Sequence, residues 1–312
     1  MGCVKSPGTV ADFVHTGTTV EPSSPATICR DPSLDDDDLC FPGMQMEHWL
    51  QHGELQFVDS DEPPAGISGL MKLLTGVRHP DLDTPLHVWV KWKPAPKSLS
   101  GLNNSPRRER AAYEFQKLFL PEDRWVVPTT VMRCVDPIAG HPVEDRAMAD
   151  DVDCVWGQLA YWVNSMEAPG EVDWERYEDD IVYRRSIGDM NLLMYLIGHG
   201  DAHKDNWLLS SDDDHPRAMS PDNGVAFSGL GNPLVKNVWG KLNLDAYPAD
   251  TVARLRDIDR RQLDALRVVD TFEVQDRDLV RVEPDLRHIG AQGDYYGEGR
   301  VSHGLRGLSS RQ

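Results

Sequence analysis

Two polar loops between residues 199 and 223 carry the side chains most able to do chemistry. Asp201, His203 and Asn206 lie in the first, and Asp222 and Asn223 in the second. An acid, an amide five residues on, and another acid sixteen residues after the amide form the oxygen set that phosphoryl transfer needs. One acid takes the acceptor's proton, while the amide and the other acid hold magnesium against nucleotide phosphates. A single acidic loop beside Gly and Pro is ordinarily a solvated turn; two such loops joined by a hairpin are a rarer coincidence. A second chemistry competes for the same stretch. His199-x-Asp201-x-His203 offers two imidazoles and a carboxylate, a set suited to zinc or iron in a metallohydrolase. It leaves Asn206 and Asp222 without a role and ranks second.

The loops need a frame. Leu192, Leu193, Leu196 and Ile197 give the apolar face of a buried helix that ends near Gly198 and Gly200. Residues 207–210 and 217–220 read as two short strands around a turn at 212–216, so the hairpin brings both loops to one end. Upstream, 70–74 and 87–93 are strand-like. Period 2 in the second strand puts Trp89, Lys91 and Lys93 on one face and Val88, Val90 and Trp92 on the other. Such a lysine pair is either a solvated face or a cation aimed at phosphates. Ser105-Pro106 starts a helix with cap and first residue in place, and Ala111, Ala112, Phe115, Leu118 and Phe119 make its buried stripe. Glu109 and Glu114 both flank that stripe, and periodicity does not choose between them. Residues 126–132 and 152–163 read as further strands, the second buried; from about 180 onward the pattern is helical, including 251–268.

This order predicts an α+β chain with four parts: a disordered tail over 1–45, a strand-rich N-lobe with one helix over 46–165, a helical C-lobe with both loops over 166–290, and a flexible Gly-rich tail over 291–312. The motifs then resemble a known group. Gly200-Asp-Ala-His-Lys-Asp-Asn-Trp is similar to the G-D-x-H-x-x-N catalytic loop of phosphoinositide-3/4-kinase-like enzymes, HipA-type toxin kinases and secretory-pathway casein kinases. Asp222-Asn-Gly resembles their metal loop, and Trp92-Lys93-Pro94 their lysine strand. Arg108-Glu109-Arg110-Ala111-Ala112-Tyr113 resembles the helix start that supplies the partner glutamate, and Val127-Pro-Thr-Thr-Val the strand after it. The resemblance covers about 65–270 in the right order. It implies a two-lobed protein-kinase-like fold, with Asp201 as catalytic base and His203 as its companion near the transferring phosphate. It also implies Asn206 and Asp222 as magnesium ligands, Lys93 on the nucleotide phosphates of ATP, and Glu109 holding that lysine. Lys91 is the fallback for a register shifted by two, and Gly66 and Gly69 sit where a phosphate-covering loop would be. The chain departs from the group in Pro221 before Asp222 and in Ala202 in place of the lipid kinases' arginine.

Composition narrows the substrate. Formal charge is −19, from 51 acidic and 32 basic residues, which disfavours nucleic acid and anionic membranes and favours a Ser/Thr protein acceptor. A lipid or small-molecule kinase and a nucleotide-binding pseudokinase are the alternatives. The five cysteines are scattered, without metal-ligand spacing, and point to a reducing, cytoplasmic setting. No apolar run of spanning length and no signal-peptide core is visible. Met1-Gly2-Cys3 opens a myristoylation-like pattern, so a membrane partner is expected only if Gly2 or Cys3 is acylated.

Overall fold

A computed structural model describes residues 27–28, 39–40, 43–61, 70–95, 106–136, 138, 152–163, 166–167, 170–210, 216–227, 242, 244–266, 268–282, 295–297 and 300–304. Gly66, Gly69, Ser105, the 212–215 turn and the Gly2/Cys3 motif lie outside the described residues. Two short strands, β1 (Thr27–Ile28) and β2 (Leu39–Cys40), pair antiparallel. The helix α1 (Gly43–His52) follows. The central sheet then contains β3 (Glu54–Asp61), β4 (Met71–Arg78), β5 (Leu86–Pro94), β6 (Thr130–Val135) and β7 (Val155–Tyr161). Its order is β3-β4-β5-β7-β6, antiparallel throughout. Between β5 and β6 runs α2 (Pro106–Gln116), opened by a proline whose missing N–H costs nothing at a first helical position.

After the short strand β8 (Met166–Glu167) come α3 (Trp174–Asp179) and α4 (Ile181–Leu196). Asp180 caps α4 by accepting from the backbone N–H of Val182 and Tyr183. Gly198, at φ 57°, takes the left-handed conformation that stops the helix just before the first polar loop. The expected hairpin is β9 (Leu208–Ser210) against β10 (Ala218–Met219), in register Leu208↔Met219 and Leu209↔Ala218. Last come α5 (Ala249–Asp257), α6 (Arg260–Ala265), β11 (Val268–Gln275), β12 (Asp278–Val282), β13 (Tyr295–Gly297) and β14 (Arg300–Gly304).

Three cores hold these elements. One joins α2 (Ala111, Ala112, Phe115) to α4 (Ile187, Met190, Leu193, Met194) and to Ala202, Trp207 and Ala226 of the loops. Burying that stripe fixes the loops relative to α2. A second packs Met46, Trp49 and Leu50 of α1 on Leu73, Val90, Trp92, Val131 and Leu159 of the sheet. A third places Phe272 and Leu279, from β11 and β12, on Met132, Trp156 and Ala95.

Several expectations change. Among the described residues of 46–165 there are two α-helices rather than one: α1 adds to the expected α2, and Met46, Trp49 and Leu50 give it helical spacing. The strand expected at 126–132 starts at Thr130. Before it, the side chain of Gln116 accepts from Val126 and Val127 N–H and donates to Val127 C=O, so this backbone is satisfied without a ladder. The helix expected over 251–268 stops at Asp257, because Asp259 and Gln262 form a capping box that starts α6. The expected helical lobe also ends in strands: β11 and β12 form a hairpin, and β14 pairs with β11 inside the segment expected to be a flexible tail. Cys134 and Cys154, two of the five scattered cysteines, are joined in a disulfide with their Cα atoms 5.4 Å apart. Among the described residues, no helix is long and apolar enough to cross a membrane.

Candidate active site

The site starts from the sheet. β5 and β7 approach so closely at Gly157 that a Cβ there would lie 2.5 Å from the carbonyl oxygen of Lys93 and 2.8 Å from Cα of Pro94. Only glycine fits, and the close approach seats the end of β5 firmly. The alternation expected in β5 puts Val88, Val90 and Trp92 in the core with α1, and Lys91 and Lys93 on the other face. Both lysines are buried.

They converge on two carboxylates. Lys93 Nζ donates to Glu109 Oε1 at 2.9 Å and to Asp222 Oδ1 at 3.3 Å. Lys91 Nζ donates to the Pro221 carbonyl at 2.7 Å and lies 3.4 Å from Glu109 Oε1 and 3.9 Å from Asp222 Oδ1. The other Glu109 oxygen, Oε2, accepts the Asn223 N–H at 2.8 Å. Glu109 therefore spans strand and loop, whereas Glu114 pairs with Arg110 and Lys117 and takes no part. Burial alone would depress the Lys93 ammonium, but the Glu109 and Asp222 charges outweigh it and raise its pKa. Burial alone would raise Asp222; Lys91 and Lys93 outweigh it and hold that carboxyl well below the usual range. Both groups stay ionised at neutral pH. The Asp222 side chain is nonetheless 41% exposed, so this buried network opens at one carboxylate.

The first loop is held to the second by His199. Its Nε2 lies 2.6 Å from the Asp222 carbonyl and its Nδ1 accepts the Asp201 N–H at 3.3 Å. A carbonyl only accepts, so Nε2 carries the proton and the imidazole is neutral; burial pushes its pKa down in agreement. With both nitrogens engaged by backbone and the ring fully buried, His199 is not a metal ligand. The His199–Asp201–His203 triad is thus corrected: these residues form no metal-binding group among the described residues. Sequence reasoning missed the bridging role, which only the fold reveals because the two backbones meet across the hairpin.

Asp201 and Asn206 face each other within the first loop. Asn206 Nδ2 donates to Asp201 Oδ2 and to the Asp201 carbonyl, both at 2.9 Å. With its amide nitrogen so occupied, Asn206 keeps Oδ1 as the acceptor end of its side chain. His203 Nε2 is 3.4 Å from Asp201 Oδ1. In the second loop, Asn223 exchanges side-chain hydrogen bonds with Ser220, so it shapes the turn and offers nothing outward. The structure thus brings Lys91, Lys93, Glu109 and Asp222 into direct contact and couples Asp201, His203 and Asn206 to them through His199.

Comparison with protein-family models and with curated proteins gives no match. Among solved structures, that of hydra Fam20 with sugar is similar over 69% of this chain and 72% of its own, at 13% identity and a TM-score of 0.38.

Proposed function

We propose that this chain is a kinase-like phosphotransferase using ATP and magnesium, with a Ser or Thr of a protein as acceptor. One observation carries the reading: a buried lysine clamped between a helix glutamate and a half-exposed loop aspartate, with a second acid–amide pair tied to that loop by a neutral histidine. The donor set fits the group it would hold, since a carboxylate and an amide oxygen are hard ligands that suit magnesium. Asp222 and Asn206 would hold the ion, which supplies charge neutralisation between phosphate oxygens when bound. Lys93, kept charged by Glu109, points a fixed cation at the phosphates without reorganisation during reaction. Asp201, oriented by the Asn206 amide, receives the acceptor proton. His203 stands beside it at the exposed end of the loop. The strong negative charge supports a protein acceptor over an anionic bilayer, and the Cys134–Cys154 bond supports an oxidising compartment over a cytoplasmic one.

The test pairs two variants with labelled ATP. Asp222→Ala should lose magnesium-dependent nucleotide binding. Asp201→Ala should still bind and lose about 10²–10⁴-fold in transfer, the range for a positioned general base. Incubation with a basic protein and with mixed lipids identifies the acceptor: label confined to lipid sinks the protein acceptor, and wild-type turnover by both variants sinks the site.

A further inference from the structure

A second cluster of ligand-type side chains lies at the far end of β5 from Lys93. His48 comes from α1, while His79 and Asp81 come from the turn between β4 and β5. His48 Nε2 is 3.8 Å and His79 Nδ1 is 3.4 Å from the same oxygen, Asp81 Oδ2. Both distances exceed good N–H···O hydrogen bonds. They are close to the roughly 3.3–3.5 Å edge of a tetrahedron whose centre lies about 2.0–2.1 Å from each ligand. The protonation pattern agrees. His79 Nδ1 accepts the Asp81 backbone N–H at 3.2 Å, so it carries a lone pair and no proton. A lone-pair nitrogen then faces a carboxylate oxygen, an arrangement that favours a cation between them; a metal there would replace the weak backbone bond. One turn along α1, His52 sits with its ring centroid 5.1 Å from that of His48, the i, i+4 spacing that puts two imidazoles on one helix face.

We infer that His48, His79 and Asp81 bind a zinc-class divalent ion, with water completing four-coordination. Two imidazoles and one carboxylate suit zinc or cobalt rather than magnesium. Half of the His48 side chain and more than half of Asp81 are exposed, which leaves the ion a route in. The ion would staple the C-terminal end of α1 to the β4–β5 turn. No magnesium or nucleotide chemistry enters, so this site stands independently of the proposed phosphotransferase activity.

The experiment strips the full-length protein with chelator and titrates it with Zn2+ by calorimetry, then with Co2+ by visible absorption. Wild type should take up one more zinc equivalent than the His48→Ala/Asp81→Ala double variant, and its cobalt form should show the strong visible bands of tetrahedral coordination. Each single variant should weaken that equivalent by at least about tenfold. Both substitutions are at exposed positions, and a thermal melt of the metal-free variants controls for folding. Equal zinc uptake by wild type and a folded double variant, or cobalt spectra of octahedral type, would overturn the site.

Discussion

Two neighbouring residues of α2 anchor two buried ion networks, and the networks end differently. Glu109 gathers Lys91 and Lys93 and leads to Asp222, whose side chain is substantially exposed. Arg110 gathers Asp270 at 3.2 Å, Glu47 and Glu114 each at 2.7 Å and the Thr130 carbonyl at 2.5 Å. Arg281 closes the far side of Asp270 at 2.7 Å, and the Asp270 side chain is wholly inaccessible. Burial would lower the Arg110 pKa, but three carboxylates raise it instead. One network is saturated by the protein itself; the other keeps a carboxylate for something outside it. Saturation marks a structural joint, and the retained opening marks a site.

The sharpest way to separate them is to cut each network at its buried cation. Arg110→Met should cost about 3–5 kcal/mol of folding stability, the range for stranding buried carboxylates, read by urea unfolding. Lys93→Ala should lower phosphoryl transfer by about 10²–10³-fold and cost less stability than Arg110→Met, because Lys91 stays 3.4 Å from the buried Glu109 carboxylate; single-turnover kinetics beside urea unfolding reads both. If Arg110→Met cost activity alone, or Lys93→Ala cost stability alone, the contrast would fail. Within the open network, Lys93→Ala and Glu109→Ala should be non-additive, because each places the other. Strictly additive losses in a double-mutant cycle would move the working cation to Lys91.

A milder effect comes from pH. Burial pushes the Glu47 carboxyl up, but Arg110 and Lys117 bring it from 4.5 down to about 2. Between those values the folded chain binds fewer protons than the unfolded one. Its contribution is therefore complete above about pH 4.5 and disappears as pH falls toward 2. Unfolding at pH 6 and pH 3 should show a smaller difference in Glu47→Gln than in wild type. Smallest of all, Arg277→Ala removes an ion pair with Asp153 in which both side chains are more than half exposed. No measurable shift in melting temperature is expected there.

The open network was more legible in the sequence than the closed one. Alternation in β5 placed Lys91 and Lys93 together, and the spacing of Asp201, Asn206 and Asp222 pointed to the loops, since both signals are local. The choice between Glu109 and Glu114 was not local, and it was decided by whether Arg110 or Lys93 reached each carboxylate. The Arg110–Asp270 joint spans 160 residues, and Asp270 lies in a strand just past the 251–268 stretch whose helical pattern the Asp259 capping box interrupts. His79 joins His48 only through the fold, from the turn that follows β4.

The Arg110–Asp270 separation also sets an order of events for a chain leaving the ribosome. At roughly 5–20 residues per second, about 8–32 s pass between the synthesis of Arg110 and that of its buried partner. During that interval α2 carries a guanidinium whose most buried counter-ion does not yet exist, and the Met132–Trp156 surface lacks the hairpin that covers it. The buried joint between α2 and β11 can therefore close only after the late strand is made.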